Sequence, residues 1–108
     1  MAAPSENETW LIDVGDRMIK KKATGGALGL TPPERLIYCI WVADYGMRNA
    51  GTLEAAKDLY RDYKEEAEQL SFELRLPYVH ESFCLSVQAL EREYFDRFER
   101  ICNEIKSA

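Results

Sequence analysis

Apolar side chains recur along most of this chain at steps of three and four, the spacing of one face of an α-helix. Trp10, Leu11, Val14 and Met18 keep that spacing behind Ser5 and Glu8, a capping-box pair, and predict a first helix from about Glu6 to Lys22. Thr31-Pro32-Pro33-Glu34 predicts the start of a second helix, with Thr at the N-cap, Pro at the first helical position and Glu reaching back to the cap. The eight residues from Leu36 to Ala43 are apolar on every face, as a central helix or a buried strand would be. The cap decides for helix.

Gly46, Asn49 and Gly51 mark a break, after which Thr52 can cap a third helix. Ala56, Leu59, Tyr60, Tyr63, Ala67, Leu70 and Leu74 continue its stripe to about Leu74 or Arg75, since Pro77 cannot sit in a helix interior. From Tyr78 onward, Val79, Phe83, Val87, Leu90, Tyr94, Phe98, Ile101 and Ile105 form a nearly heptad seam. One unbroken helix over the 28 residues Tyr78 to Ile105 would be about 42 Å long. A globule of this size has a radius of gyration near ~13 Å, so one end is expected to project or to pack on another chain. The fold predicted is all-α, about four helices in a small bundle with a long C-terminal amphipathic helix. It is a single domain over residues 1–108, with residues 1–5 disordered and a glycine-rich loop at 23–30.

Composition supports a folded core: 46% of the 108 residues are hydrophobic. An apolar run of eight residues is too short to cross a bilayer. Met1 to Thr9 carry no basic start followed by an apolar stretch, so no membrane association and a cytoplasmic location are expected. Cys39, Cys84 and Cys102 are odd in number and lack close pairing, which fits reduced thiols better than zinc or redox sites. The net charge of −5 is uneven: residues 1–50 hold six basic and six acidic side chains, and 51–108 hold eight and thirteen. An acidic second half argues against direct nucleic-acid binding and suits a protein partner with a basic surface.

Candidate chemistry is sparse. Lys20 to Lys22 followed by Gly25 and Gly26 invite a phosphate-loop reading, but Leu30-Thr31-Pro32 does not supply the Gly-Lys-Ser/Thr helix start. His80 and Cys84, four apart, share a helix face, as a Cys-His pair or two metal ligands would. His80 is the sole histidine, and Pro77 stands where a Glu-x-x-His motif needs Glu. A half-buried histidine beside a packed thiol is the expectation, with no catalytic residues, no metal and no cofactor. The acids Asp58, Asp62, Glu65, Glu66, Glu68 and Glu73 are interleaved with Lys57, Arg61 and Lys64. They form a solvated face or a partner surface. With Tyr94, Phe98, Ile101 and Ile105 of the terminal seam, these acids are the candidate partner-binding residues.

Three segments carry a family resemblance: Leu30-Thr-Pro-Pro-Glu-Arg-Leu-Ile-Tyr38, Tyr45-Gly-Met-Arg-Asn-Ala-Gly51 and Leu90-Glu-Arg-Glu-Tyr94-Phe95. Together they resemble a bacterial family of small helical proteins that includes a DNA-mimic protein. The resemblance implies an all-helical fold and a protein-binding inhibitor role, and it places Asn49 and Gly51 on the family's Asn-Gly-Gly-Phe turn. Here that turn reads Asn49-Ala50-Gly51-Thr52, and the charges are more mixed than a DNA mimic needs. The function expected is therefore a small acidic adaptor or inhibitor, not an enzyme, acting through helical surfaces. The alternatives are a self-associating helical module (a homodimer) pairing through the Phe83 to Ile105 seam, and a thiol- or metal-dependent enzyme at His80 and Cys84.

Overall fold

Ser5 and Glu8 exchange the two hydrogen bonds of a capping box: Glu8 N–H donates to Ser5 Oγ at 3.1 Å and Ser5 N–H to the Glu8 carboxylate at 2.8 Å. There α1 begins and runs over Glu6–Gly25. Ser5 is therefore part of an ordered helix start. Thr24 Oγ1 donates to the Lys20 and Lys21 carbonyls, so Ala23 to Gly25, expected in a loop, continue the helix instead. The computed structural model describes residues 5–25 and 29–107; the rest of the expected terminal and loop segments, 1–4 and 26–28, lies outside them.

The second capping box is also present. Glu34 N–H donates to Thr31 Oγ1 at 3.4 Å and Thr31 N–H to Glu34 Oε1 at 2.9 Å, opening α2, Pro32–Ala50. Lys21 reaches from α1 to the same carboxylate at 2.8 Å. That ammonium, followed by the Thr31 amide, holds the Glu34 carboxyl down at about 2. At the other end Gly51 adopts φ 72° and its N–H returns to the Met47 carbonyl, the left-handed cap that glycine fills without a Cβ clash. Asn49 Nδ2 donates to the Tyr45 carbonyl, so Asn49 and Gly51 are explained by finishing α2.

Four more helices follow: α3 (Glu54–Leu59), α4 (Tyr63–Glu73), α5 (Pro77–Cys84) and α6 (Val87–Ser107). Among the described residues there is no strand. As its pattern requires, α2 is central: Leu36, Cys39, Ile40, Val42, Ala43 and Met47 are buried against α1, α3 and α4. Gly46 allows the close approach of the α3 start, where a Cβ would stand 2.8 Å from the Ala56 amide nitrogen.

The two long helices expected in the second half are each broken, giving six helices where about four were expected. Tyr60 leaves helical geometry (φ −151°, ψ 100°) between α3 and α4. Its ring packs on Tyr38 at 5.6 Å with the Lys22 ammonium over both rings, and its hydroxyl bonds Glu66. The tertiary contacts of one aromatic side chain outweigh the helix propensity around it. The terminal helix breaks at the extended Leu85, and Ser86 Oγ then accepts the Ala89 N–H to restart it as α6.

After that second break the chain folds back. Glu104, near the end of α6, accepts the N–H groups of Tyr78 and Val79 at 3.1 and 2.9 Å, capping the start of α5 from a distance. Arg97 donates to Ser82 Oγ between the two helices. The 21 residues of α6 are about 31 Å long, within overall extents of 35 × 31 × 29 Å and a radius of gyration of 12.8 Å. Among the described residues, α6 stays within these extents. No helix among the described residues is long and apolar enough to cross a membrane.

Candidate interaction surface at the α4–α5 corner

Burial reassigns the terminal seam. Tyr94, Phe98 and Ile101 lie in the core with Phe83 and Leu90, and Ile105 is half-buried against it. These four α6 residues were candidates for contacting a partner, and the seam they form was a candidate for pairing two copies. The chain's own α1, α2 and α5 occupy that face instead, because the fold-back at Leu85 gives the stripe an internal partner. The polar flank is engaged as well: the buried Asn7 donates to Glu99 at 2.8 Å and to Asn103 at 3.1 Å, and accepts from Lys106 at 3.0 Å.

The six candidate acids do not share one face. Asp58 is exposed on α3 and Asp62 precedes α4 without making a side-chain cap. Glu66 is partly buried and engaged by Arg35 of α2 and by the Tyr60 hydroxyl, so it serves the fold. Glu65, Glu68 and Glu73 remain along the outer side of α4, and Glu81 of α5, with 65% of its side chain exposed, joins them.

Between these acids lies an apolar groove of about 430 Å³ lined by Ser71, Phe72, Arg75, Leu76, Pro77 and His80. Phe72 is 70% exposed, the most exposed large apolar side chain among the described residues. The period explains why: Tyr63, Ala67 and Leu70 set the buried face of α4, and two residues on from Leu70 a helix has turned through ~200°. The corner itself is made by a Schellman turn, in which Leu76 N–H returns to the Ser71 carbonyl and Arg75 N–H to the Phe72 carbonyl. Arg75 holds the left-handed position at φ 59°, the sole non-glycine with positive φ among the described residues. An L-residue costs about 1–2 kcal/mol there, part of which glycine returns through its freer unfolded chain. Arg75→Gly is expected to stabilise the fold by about 0.5–1 kcal/mol, read from the urea midpoint at unchanged slope.

His80 and Cys84 sit at one end of the groove. The Glu68 carbonyl can only accept, so His80 Nδ1, 2.9 Å away, carries the proton and donates to it. The other ring nitrogen, Nε2, faces Cys84 Sγ at 3.4 Å, and the Glu68 carboxylate lies 3.4 Å from the same sulfur. Burial first, and then the Glu68 carboxylate, push the Cys84 thiol up, opposite to the direction a thiol nucleophile needs. No group of three or more His, Cys, Asp or Glu among the described residues is placed to hold a metal ion. Cys39 and Cys102 are buried, and burial pushes the Cys102 thiol up to about 12. In the native protein a disulfide-exchange reagent is therefore expected to titrate one thiol, Cys84. Glu68→Gln should make that reaction several-fold faster at neutral pH; two or three reactive thiols at native rates would contradict the burial.

A second cleft, of about 490 Å³, lies where α3, α4 and α6 meet. It balances Lys57, Arg61 and Lys64 against Glu54, Glu65 and Glu91. Glu91 is tied to the Leu53 amide and Lys64 to the Phe83 carbonyl, so the cleft has no net sign with which to select a ligand. Of the other exposed large apolar side chains, Val87 lines this second cleft, and Ile12, Tyr45, Leu59 and Phe95 line neither groove. Comparison of the chain with protein-family models, with curated proteins and with solved structures gives no match in any of the three.

Proposed function

We propose that this chain is a protein-binding module of adaptor or inhibitor type, without catalytic activity of its own, and that it engages its partner through the acidic α4 and the α4–α5 corner. The observation that carries this reading is Phe72, left exposed beside an apolar groove and bordered by Glu68, Glu73 and Glu81. Water-exposed aromatic rings at the rim of a groove are the side chains that anchor protein interfaces. The raised Cys84 thiol supports the non-enzymatic part. The resemblance to the helical family with a DNA-mimic member fits an inhibitor, although Lys57, Arg61 and Lys64 interrupt the acids that a phosphate-like surface would need.

The test is affinity capture from a lysate of the protein's own cells with the tagged chain, its Phe72→Ser variant and, as a surface control, Phe95→Ser. A partner retained by the original and by Phe95→Ser, but lost with Phe72→Ser, is the expected result. Capture of no specific protein would sink the module reading, and capture indifferent to Phe72 would sink this choice of surface.

A further inference from the structure

The groove at the α4–α5 corner also constrains what can occupy it. Every side-chain hydrogen-bonding group in its lining except the Arg75 guanidinium is already engaged. Ser71 Oγ donates within α4 to the Ala67 and Glu68 carbonyls at 2.6 and 3.0 Å. Both ring nitrogens of His80 are turned away, one to the Glu68 carbonyl and one to Cys84. What remains is the Phe72 ring, packed 5.5 Å from the His80 ring, with Leu76 and Pro77. Away from the Arg75 guanidinium, a polar occupant would lose its hydrogen bonds to water and find no side-chain replacement, at a cost of about 1–3 kcal/mol per group. The occupant's inserted part is therefore apolar, and about 430 Å³ holds a bulky side chain.

The surroundings fix the sign of the rest. Residues 63–84 contain five acids and two bases. Glu66 is neutralised by Arg35, and Lys64 points to the Phe83 carbonyl on the side of the other cleft. Around the groove this leaves Glu68, Glu73 and Glu81, the last of them 3.8 Å from Arg97, against Arg75. Such a rim repels phosphate-bearing surfaces, whether nucleic acid or anionic membrane, and attracts lysine and arginine. With no sheet edge among the described residues, strand addition is not available as a docking mode.

From these constraints, and resting on the protein-binding reading above, we infer that the groove receives a cationic segment of another protein. That segment inserts one bulky apolar side chain beside Phe72 and sets lysine or arginine, about one helical turn to either side, against Glu68, Glu73 and Glu81. The apolar anchor provides most of the affinity and the rim provides selection by charge.

The probe is a synthetic helical peptide of about four turns with a single leucine anchor flanked by lysines. Two matched peptides serve as controls, one with the leucine replaced by serine and one with the lysines replaced by glutamates. Binding is read from amide NMR shifts at Phe72 to His80 and from protection of Cys84 against a maleimide. The Lys/Leu peptide is expected to bind and to protect Cys84, and both controls to fail. Affinity should fall about 10-fold or more in Phe72→Ala, as for a hot-spot side chain. It should also fall in a Glu73→Lys, Glu81→Lys double variant, and as salt is raised from about 50 to about 500 mM. Because Phe72, Glu73 and Glu81 are exposed, these variants fold, which unchanged thermal melting confirms.

Equal binding of the leucine and serine peptides, or binding unaffected by Phe72→Ala, overturns the inference. So does self-association of the chain that Phe72→Ala abolishes, since a second copy would then fill the groove. Failure of the peptides while capture from lysate still depends on Phe72 refutes the cationic, apolar occupant and leaves the protein-binding reading standing. Loss of Phe72 dependence in both refutes the two together.

Discussion

Phe98→Ala is expected to cost the fold about 3–5 kcal/mol, and Phe72→Ala less than about 0.5 kcal/mol. The two residues have the same side chain and both sit on helices whose apolar spacing is clear, so the contrast isolates burial. Phe98 is 2% exposed, packed against Tyr94 at 6.0 Å and covered by the Arg48 guanidinium at 4.8 Å. Truncation there leaves a cavity that the surrounding helices cannot fill, and it uncovers the Asp44–Arg48 pair. At Phe72 the ring already faces water over most of its surface. In urea the Phe98 variant should unfold about 2 M or more below the original chain, taking the ordinary slope for a domain of this size, while the Phe72 variant stays superimposable. The ordering reverses for partner capture: Phe72→Ala should abolish it, and Phe98→Ala should weaken it only in proportion to the unfolded fraction. A Phe98→Ala cost below about 1 kcal/mol would mean that the α6 seam is surface after all, since core aromatics do not truncate so cheaply.

How far the sequence reveals this fold depends on whether a feature is local. Both capping boxes and the central burial of α2 follow from residues within a few positions of one another, and each is present as read; of the break expected at Gly46, Asn49 and Gly51, only Gly51 ends the helix, while Gly46 and Asn49 lie inside α2. The breaks at Tyr60 and at Leu85–Ser86 carry no proline or glycine, and the three-and-four spacing runs through them unchanged. They are imposed by partners distant in sequence: Tyr38, some twenty positions before Tyr60, and Glu104, which lies 26 positions beyond the Tyr78 amide it caps. A period shows that a face will be buried, not what buries it, and so Tyr94, Phe98 and Ile101 could be mistaken for a docking stripe. The groove had a sequence signal of a different kind. Phe72 falls outside the stripe of Tyr63, Ala67, Leu70 and Leu74, and a large apolar residue out of phase with its own helix is a candidate for exposure. The acids of α4 were legible as a group, but only the tertiary arrangement separates Glu66, neutralised by Arg35, from Glu68 and Glu73 and brings Glu81 of α5 beside them.

Tyr94→Phe should destabilise the chain by about 1.5–3 kcal/mol near neutral pH, the range for a hydrogen bond to a charged group, and by much less in acid. The Tyr94 hydroxyl donates to the Asp44 carboxylate at 2.6 Å, and Arg48 holds both oxygens of that carboxylate at 2.9 and 3.0 Å while its other arm reaches Glu8 at 2.8 Å. One chain of contacts thereby joins α6, α2 and α1. Asp44 is 6% exposed, and burial raises its carboxyl above the usual 3.8 despite the lowering contributed by Tyr94 and Arg48. The fold therefore favours the neutral acid, and this group's contribution to stability is greatest below 3.8 and falls as pH rises through the folded value. Loss of the Tyr94 donor removes part of what offsets the buried charge, so Asp44 moves further up and the penalty grows with pH. Glu34, held at about 2, works in the opposite sense: its contribution is complete above 4.5 and is lost as pH falls toward 2. Original and variant share Glu34, so it cancels in their difference. Unfolding free energies of the two proteins at about pH 7 and about pH 3.5 should thus converge in acid. A difference that stays constant across that range would show that Asp44 keeps the same protonation state in the folded protein at both pH values.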